Sequence, residues 1–186
     1  LMLCDHLWAS VASDQAWLTH IGRIAFPIFA FQIAEGFART HDRKRYLLRM
    51  LAFAAVSEIP FNLFYAGTAV YPFHQNVMFT FVLAILLLLG VEKFRAKGRI
   101  AYLLAAAAAV VLGYLLGTVT MVDYYGCGVV TVLLFYLCRE WKWGWLPELA
   151  GLLYLNGVVL GGEELTAFGV TFPEQGLAVL ALVPIL

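Results

Sequence analysis

The chain has 186 residues, of which 63% are hydrophobic and 13% charged, with twelve basic and twelve acidic side chains giving a formal net charge of zero. A soluble domain is about 45–50% apolar and about 25% charged. The composition therefore argues against an ordinary soluble domain and favours a single membrane domain over residues 1–186, with nothing that suggests nucleic acid.

A helix that spans a bilayer needs about 20 apolar residues. Eight apolar segments meet or approach this in chain order: 1–12, 23–38, 46–66, 76–91, 100–117, 126–138, 147–161 and 175–186. The expected fold class is all-α, a polytopic integral membrane helical bundle with about eight transmembrane helices. The shorter segments suit tilted, mutually buried helices. The first segment begins without a basic n-region or a small-residue cleavage site, so it does not read as a signal peptide. Both terminal segments read as helices cut short, and native sequence is expected beyond each. The stretches "AGTAVYPFHQ", "WKWGWLP" and "GGEELTAFGVTFPEQ" read as turns between helices.

Lys and Arg set the orientation. Arg39, Arg43, Lys44, Arg45 and Arg49 fall in one stretch, Lys93, Arg95, Lys97 and Arg99 in a second, and Arg139 and Lys142 in a third. Eleven of the twelve basic residues thus lie in or beside alternate loops, which the positive-inside rule places in the cytoplasm. The opposite loops hold Asp14, Asp123, Glu163, Glu164 and Glu174 without Lys or Arg. Arg23, at the outer start of the second segment, is the exception.

With orientation fixed, depth follows. Asp5 and His6 occupy the outer half of the first segment, and Arg23 lies at the same level. "SEIPFN" brings Ser57, Glu58 and Asn62 toward the outside, and "HQNVMFT" begins outside with His74, Asn76 and Thr80. Each alone has an ordinary structural reading, such as a cap, a helix-to-helix hydrogen bond or an Asp5–Arg23 pair. Together they are ionisable groups at one depth, and such groups are costly in lipid and usually face a bundle interior or a watery cavity. A polar site opening outward is the expectation. Because neighbours on a helix point about 100° apart, Asp5 and His6 need not bond each other.

On the cytoplasmic side, "ARTHDRKRYLLR" anchors topology and also offers Arg side chains suited to bidentate phosphate contacts. Glu35 and Arg39 stand i,i+4 and can pair there. Cys4, Cys127 and Cys138 are odd in number and lie in apolar stretches, with neither a disulfide framework nor zinc spacing, so no metal is expected.

The ordered motifs "LMLCDHLW", Arg23 with "AFPIF", "EGF" followed by Arg39-Thr40, "SEIPF" and "NVMFT" resemble the TraX family, named for the conjugal pilin acetylation protein. The resemblance is dense over about the first 90 residues and continues through "DYYGCGVVTVLLFYL" and "EQGLAVLALVPIL". It implies an integral membrane acetyltransferase, related to the transmembrane acyltransferases and resident in a bacterial inner membrane. It also implies a further turn and helix beyond Leu186.

The resulting expectation is transfer of an acetyl or short acyl group from cytosolic acyl-CoA to an amine or hydroxyl acceptor on the outer side. The resemblance puts His6 at the position of the base or acyl carrier. Arg23 would stabilise the oxyanion or orient Asp5. Glu58, Asn76, Thr80 and Ser57 would shape the acceptor side. Arg39, Arg43, Lys44, Arg45 and Arg49, with Glu35, would hold the phosphates of acetyl-CoA. The lipid bilayer and acyl-CoA are the expected partners, and the acceptor stays open. A proton- or ion-coupled transporter is the alternative, since intramembrane Asp, His, Arg and Glu also build ion paths.

Overall fold

The computed structural model describes residues 1–167 and 170–185. Residues 168, 169 and 186 lie outside the described residues, and with them the end of the eighth expected segment. Nine α-helices are described: α1 (Met2–Ser10), α2 (Ala16–Gly22), α3 (Ala25–Arg39), α4 (Arg43–Ala66), α5 (Val77–Arg95), α6 (Arg99–Val119), α7 (Tyr125–Cys138), α8 (Trp145–Leu152) and α9 (Leu182–Ile185). α8 continues as a π-helix over Leu153–Leu160, and a 3-10 segment, Glu174–Ala181, leads into α9. Strands β1 (Glu164–Ala167) and β2 (Val170–Pro173) pair antiparallel, with Leu165 opposite Phe172 and Thr166 opposite Thr171.

Over the described residues each expected apolar segment is mostly helical, but not all of the eight stand out as transmembrane helices. Among the described residues, four helices are long and apolar enough to cross a membrane: Ala16–Arg39, Arg43–Ala66, Val77–Arg95 and Arg99–Val119. The physical reason is length. At about 1.5 Å per residue, the 14 residues of α7 reach only about two-thirds of a hydrocarbon core of about 30 Å. Two local expectations are also corrected. "GGEELTAFGVTFPEQ" is not only a turn but carries the β1–β2 hairpin, and the second segment begins well before Arg23, because α2 precedes it.

The chain divides into two compact units, Leu1–Gln32 with Cys138–Leu186, and Ile33–Leu137. In the second unit, α5 and α7 supply the core: Phe81, Ile85, Leu88, Val129, Val132 and Phe135 are all buried. α4 and α6 instead expose large apolar side chains, among them Phe53, Val56, Ile59, Ile100, Leu104 and Val111. Such surfaces are expected where acyl chains, not water, are the solvent. Small residues let α6 approach α7: a Cβ on Gly117 would stand 2.9 Å from Gly126 Cα, and one on Gly126 would run into the Tyr114 backbone. This is the small-residue packing typical of membrane helices.

Caps fix the helix ends. The Asp42 side chain accepts from the Arg45 backbone N–H at 2.9 Å at the start of α4. That hydrogen bond, with the Arg45 charge beside it, holds the Asp42 carboxyl below its ordinary range. Gly67 closes α4 in the left-handed conformation, φ 68°, which favours a residue without Cβ.

Candidate functional site

In the first unit, polar side chains from three elements collect around α2. Gly22 makes room for α1: a Cβ there would lie 2.5 Å from the Asp5 Cβ and 2.7 Å from its carboxylate oxygen Oδ1. That close approach lets the Thr19 hydroxyl donate to Asp5 Oδ1 at 3.1 Å. On the same α1, His6 Nδ1 lies 2.8 Å from the Met2 carbonyl. A carbonyl can only accept, so Nδ1 carries the proton and the neutral ring bears its lone pair on Nε2. His6 is exposed.

Arg23 caps the C-terminus of α2 and reaches Glu174, which begins the 3-10 segment after the hairpin. Its Nη2 stands 3.4 Å from Glu174 Oε2, and His20 Nε2 stands 3.7 Å from Glu174 Oε1. The hairpin places the carboxylate, since the Glu174 backbone N–H donates to Glu163 O at 2.8 Å. Two atoms here are buried without a hydrogen-bond partner, Arg23 Nε and Glu174 Oε1. The structure thus places Asp5 against Thr19 and Arg23 against Glu174, and not in the Asp5–Arg23 pair that was one structural reading of the two.

In the second unit, the polar residues of α4, the start of α5 and the loops beside them fasten loops and helix ends. Asn76 caps α5 through its side chain, which accepts from Met78 N–H at 2.9 Å, while its Nδ2 donates to Glu58 Oε2 at 2.6 Å and to Ala54 O at 3.0 Å. Thr80 donates to the Asp123 carbonyl at 2.7 Å, and Ser57 is half-buried on α4. His74 faces Asp123 at 3.7 Å and stacks on Tyr65 with centroids 4.7 Å apart. The loop carrying Asp123 holds three non-glycine residues at positive φ, Met121, Tyr124 and Tyr125. Gln75 pins it, donating its N–H to Met121 O and accepting from Asp123 N–H, both at 3.0 Å.

Around the start of α4 and the end of α5, several of the expected phosphate ligands already have carboxylate partners. Arg39 pairs with Glu35 at 2.7 Å, as the i,i+4 spacing implied. Arg43 pairs with Glu92 at 3.2 Å and lies over the Phe37 ring, and Arg45 pairs with Asp42. Lys44 and Arg49 are exposed on α4 with no carboxylate partner among the described residues. No group of three or more His, Cys, Asp or Glu side chains suited to a metal occurs among the described residues.

The family model described as TraX protein matches residues 1–181. The chain belongs to the TraX family. No curated protein and no solved structure matches it. Membership covers both units of this TraX-family chain, including the His20–Arg23–Glu174 cluster, which reasoning from sequence missed in part. Arg23 was visible as the one basic residue on the outer side. Glu174 was visible only as an outer acid, and His20 gave no signal while the second helix was taken to begin at Arg23. "THIGR" shows in retrospect the i,i+3 spacing that sets His20 and Arg23 on one side of a helix.

Proposed function

We propose that this TraX-family chain is a membrane acyltransferase of a bacterial inner membrane. It moves an acetyl or short acyl group from cytosolic acyl-CoA to an amine or hydroxyl acceptor at the outer side. The observation that carries the reading is the Arg23 guanidinium: half-buried, anchored at Nη2 by Glu174, with a second donor, the buried Nε, left without an acceptor. A fixed cationic donor awaiting an acceptor is what stabilises an oxyanion that appears only in the transition state. His6 supports the same chemistry, because its Nδ1 proton is committed to Met2 O and its basic nitrogen is therefore Nε2. In this reading, Nε2 takes the acyl group or the acceptor's proton. Asp5, bound by Thr19, lies on the same helix.

The phosphates of acetyl-CoA would be held at the cytoplasmic end of the second unit. Lys44 and Arg49 carry most of that role in our reading, with Arg39, Arg43 and Arg45 contributing to the extent that they leave Glu35, Glu92 and Asp42. The test is purified chain with acetyl-CoA, followed by free CoA with and without an added amine or alcohol. CoA release that depends on Arg23 and His6 supports the reading. Acetyl-CoA left intact under every acceptor condition overturns it.

A further inference from the structure

One carboxylate faces both the proposed oxyanion donor and an imidazole. Glu174, with its side chain 7% exposed, holds Arg23 through Oε2 and turns Oε1 toward His20 Nε2 at 3.7 Å. Oε1 has no hydrogen-bond donor, although it is buried, and a buried carboxylate oxygen left so is costly. The His20 side chain is 30% exposed and therefore open to a reactant. The charged groups around His20 are Arg23 on its own side of α2, Glu174 from the 3-10 segment, and Asp5 from α1, bound to neighbouring Thr19.

We propose that His20 takes the acceptor's proton during acyl transfer, with Glu174 as the positioning residue that orients its ring and holds Arg23. This rests on the acyltransferase reading. The acceptor's N–H or O–H bond breaks and its proton passes to His20 Nδ1. The electron pair so freed forms the bond to the acyl carbon, whose carbonyl oxygen gains charge beside Arg23 Nε. The tetrahedral species then collapses, the bond from the acyl carbon to the leaving sulfur or to an acylated His6 nitrogen breaks, and the leaving group keeps that electron pair. The imidazolium formed on His20 directs its Nε2–H at Glu174 Oε1, the oxygen that lacked a donor. A carboxylate that orients and stabilises an imidazolium in this way is the logic of the serine-protease triad. His20 returns to neutral by giving its proton to the leaving group or to water.

The experiment uses the full chain in detergent with acetyl-CoA and ethanolamine, which offers an amine and a hydroxyl, and follows CoA release for wild type, His20→Gln and Glu174→Gln. The expected loss in His20→Gln is about 10²–10⁴-fold, the usual worth of positioned proton transfer. CoA binding should be unchanged. Hydroxylamine, a nucleophile that attacks without a base, should restore turnover in His20→Gln, a rescue that a purely structural role would not give. Glu174→Gln should fall between the two, with its KM for acetyl-CoA unchanged. Wild-type turnover in His20→Gln, or a loss that hydroxylamine does not restore, overturns the assignment and leaves the acyltransferase reading standing. A wild-type chain that releases no CoA with either nucleophile overturns both.

Discussion

Asn76 and Glu58 meet twice at one carboxylate oxygen: the Asn76 backbone N–H donates to Glu58 Oε2 at 3.2 Å and the side-chain amide at 2.6 Å. The same amide caps α5 with its oxygen. Asn76→Ala removes the cap, worth about 1 kcal/mol, and a hydrogen bond to a charged group, worth about 1.5–3 kcal/mol. The variant should therefore lose about 3 kcal/mol in reversible unfolding in mixed micelles. Glu58→Gln keeps an acceptor oxygen and should lose less. If Glu58→Gln is the more damaging of the two, the Glu58 charge does more than hold the loop.

Gly22 is a second structural pivot. A Cβ at this position would press on Asp5 at 2.5 Å, against the root of the side chain and not a flexible tip. Gly22→Ala must push α1 from α2, and overpacking of this kind typically costs about 1–3 kcal/mol. The Thr19–Asp5 bond goes with it. The variant should melt lower and lose activity, and Asp5→Gly in the same chain should recover the melting temperature but not the activity. A Gly22→Ala chain as stable as wild type would contradict the packing of α1 on α2.

The helices were readable because apolar runs of this length have no other stable form in lipid. How many of them span was not readable from hydropathy alone, since α7 and α8 are apolar but short. α2 was missed because Thr19, His20 and Gly22 dilute its hydropathy, although they are the residues that let it meet α1 and Glu174. The hairpin was hidden by its Gly, Pro and Glu residues, which read as turns. Of the site, Asp5, Arg23, Glu58 and Asn76 could be named as candidates from the sequence, but not their partners. Arg23 and Glu174 are 151 residues apart in the chain, and no local spacing reports a contact of that separation.

The carboxylate pairs of Arg39, Arg43 and Arg45 lead to an ordering among the basic residues. Arg39, Arg43 and Arg45 must each leave or share a carboxylate to bind phosphate, whereas Lys44 and Arg49 need not. Replacing Arg39, Arg43 and Arg45 with Gln should weaken CoA binding and flatten its salt dependence. Replacing Lys44 and Arg49 with Gln should weaken it more, about tenfold or more, as expected for charged hydrogen bonds. Titration of CoA at several salt concentrations measures both. Unchanged affinity across all five positions would make the stretch a topology anchor alone.

Single-cysteine labelling from each side tests how many helices cross. The loops 40–42 and 96–98 should label only from the cytoplasm, and 67–75 only from outside, because they join consecutive members of the four long apolar helices. Positions 139 and 142 decide α7. Labelling from the cytoplasm means its 14 residues cross a thinned or protein-lined region. Labelling of 40–42 from outside would invert the orientation and every depth derived from it.

His6 is the most exposed of the proposed reacting groups to direct test. Its ring is held by the Met2 carbonyl through Nδ1, so substitution removes an exposed imidazole with a defined tautomer. His6→Ala should insert, bind CoA as wild type does, and lose about 10²–10⁴ in acyl transfer. His6→Gln can still donate an amide hydrogen bond to Met2 O but has no basic nitrogen, so it should be as inactive as His6→Ala. If His6→Gln keeps activity while His6→Ala loses it, the ring serves the structure of α1 and the chemistry lies elsewhere, with the His20–Glu174 pair the next place to look.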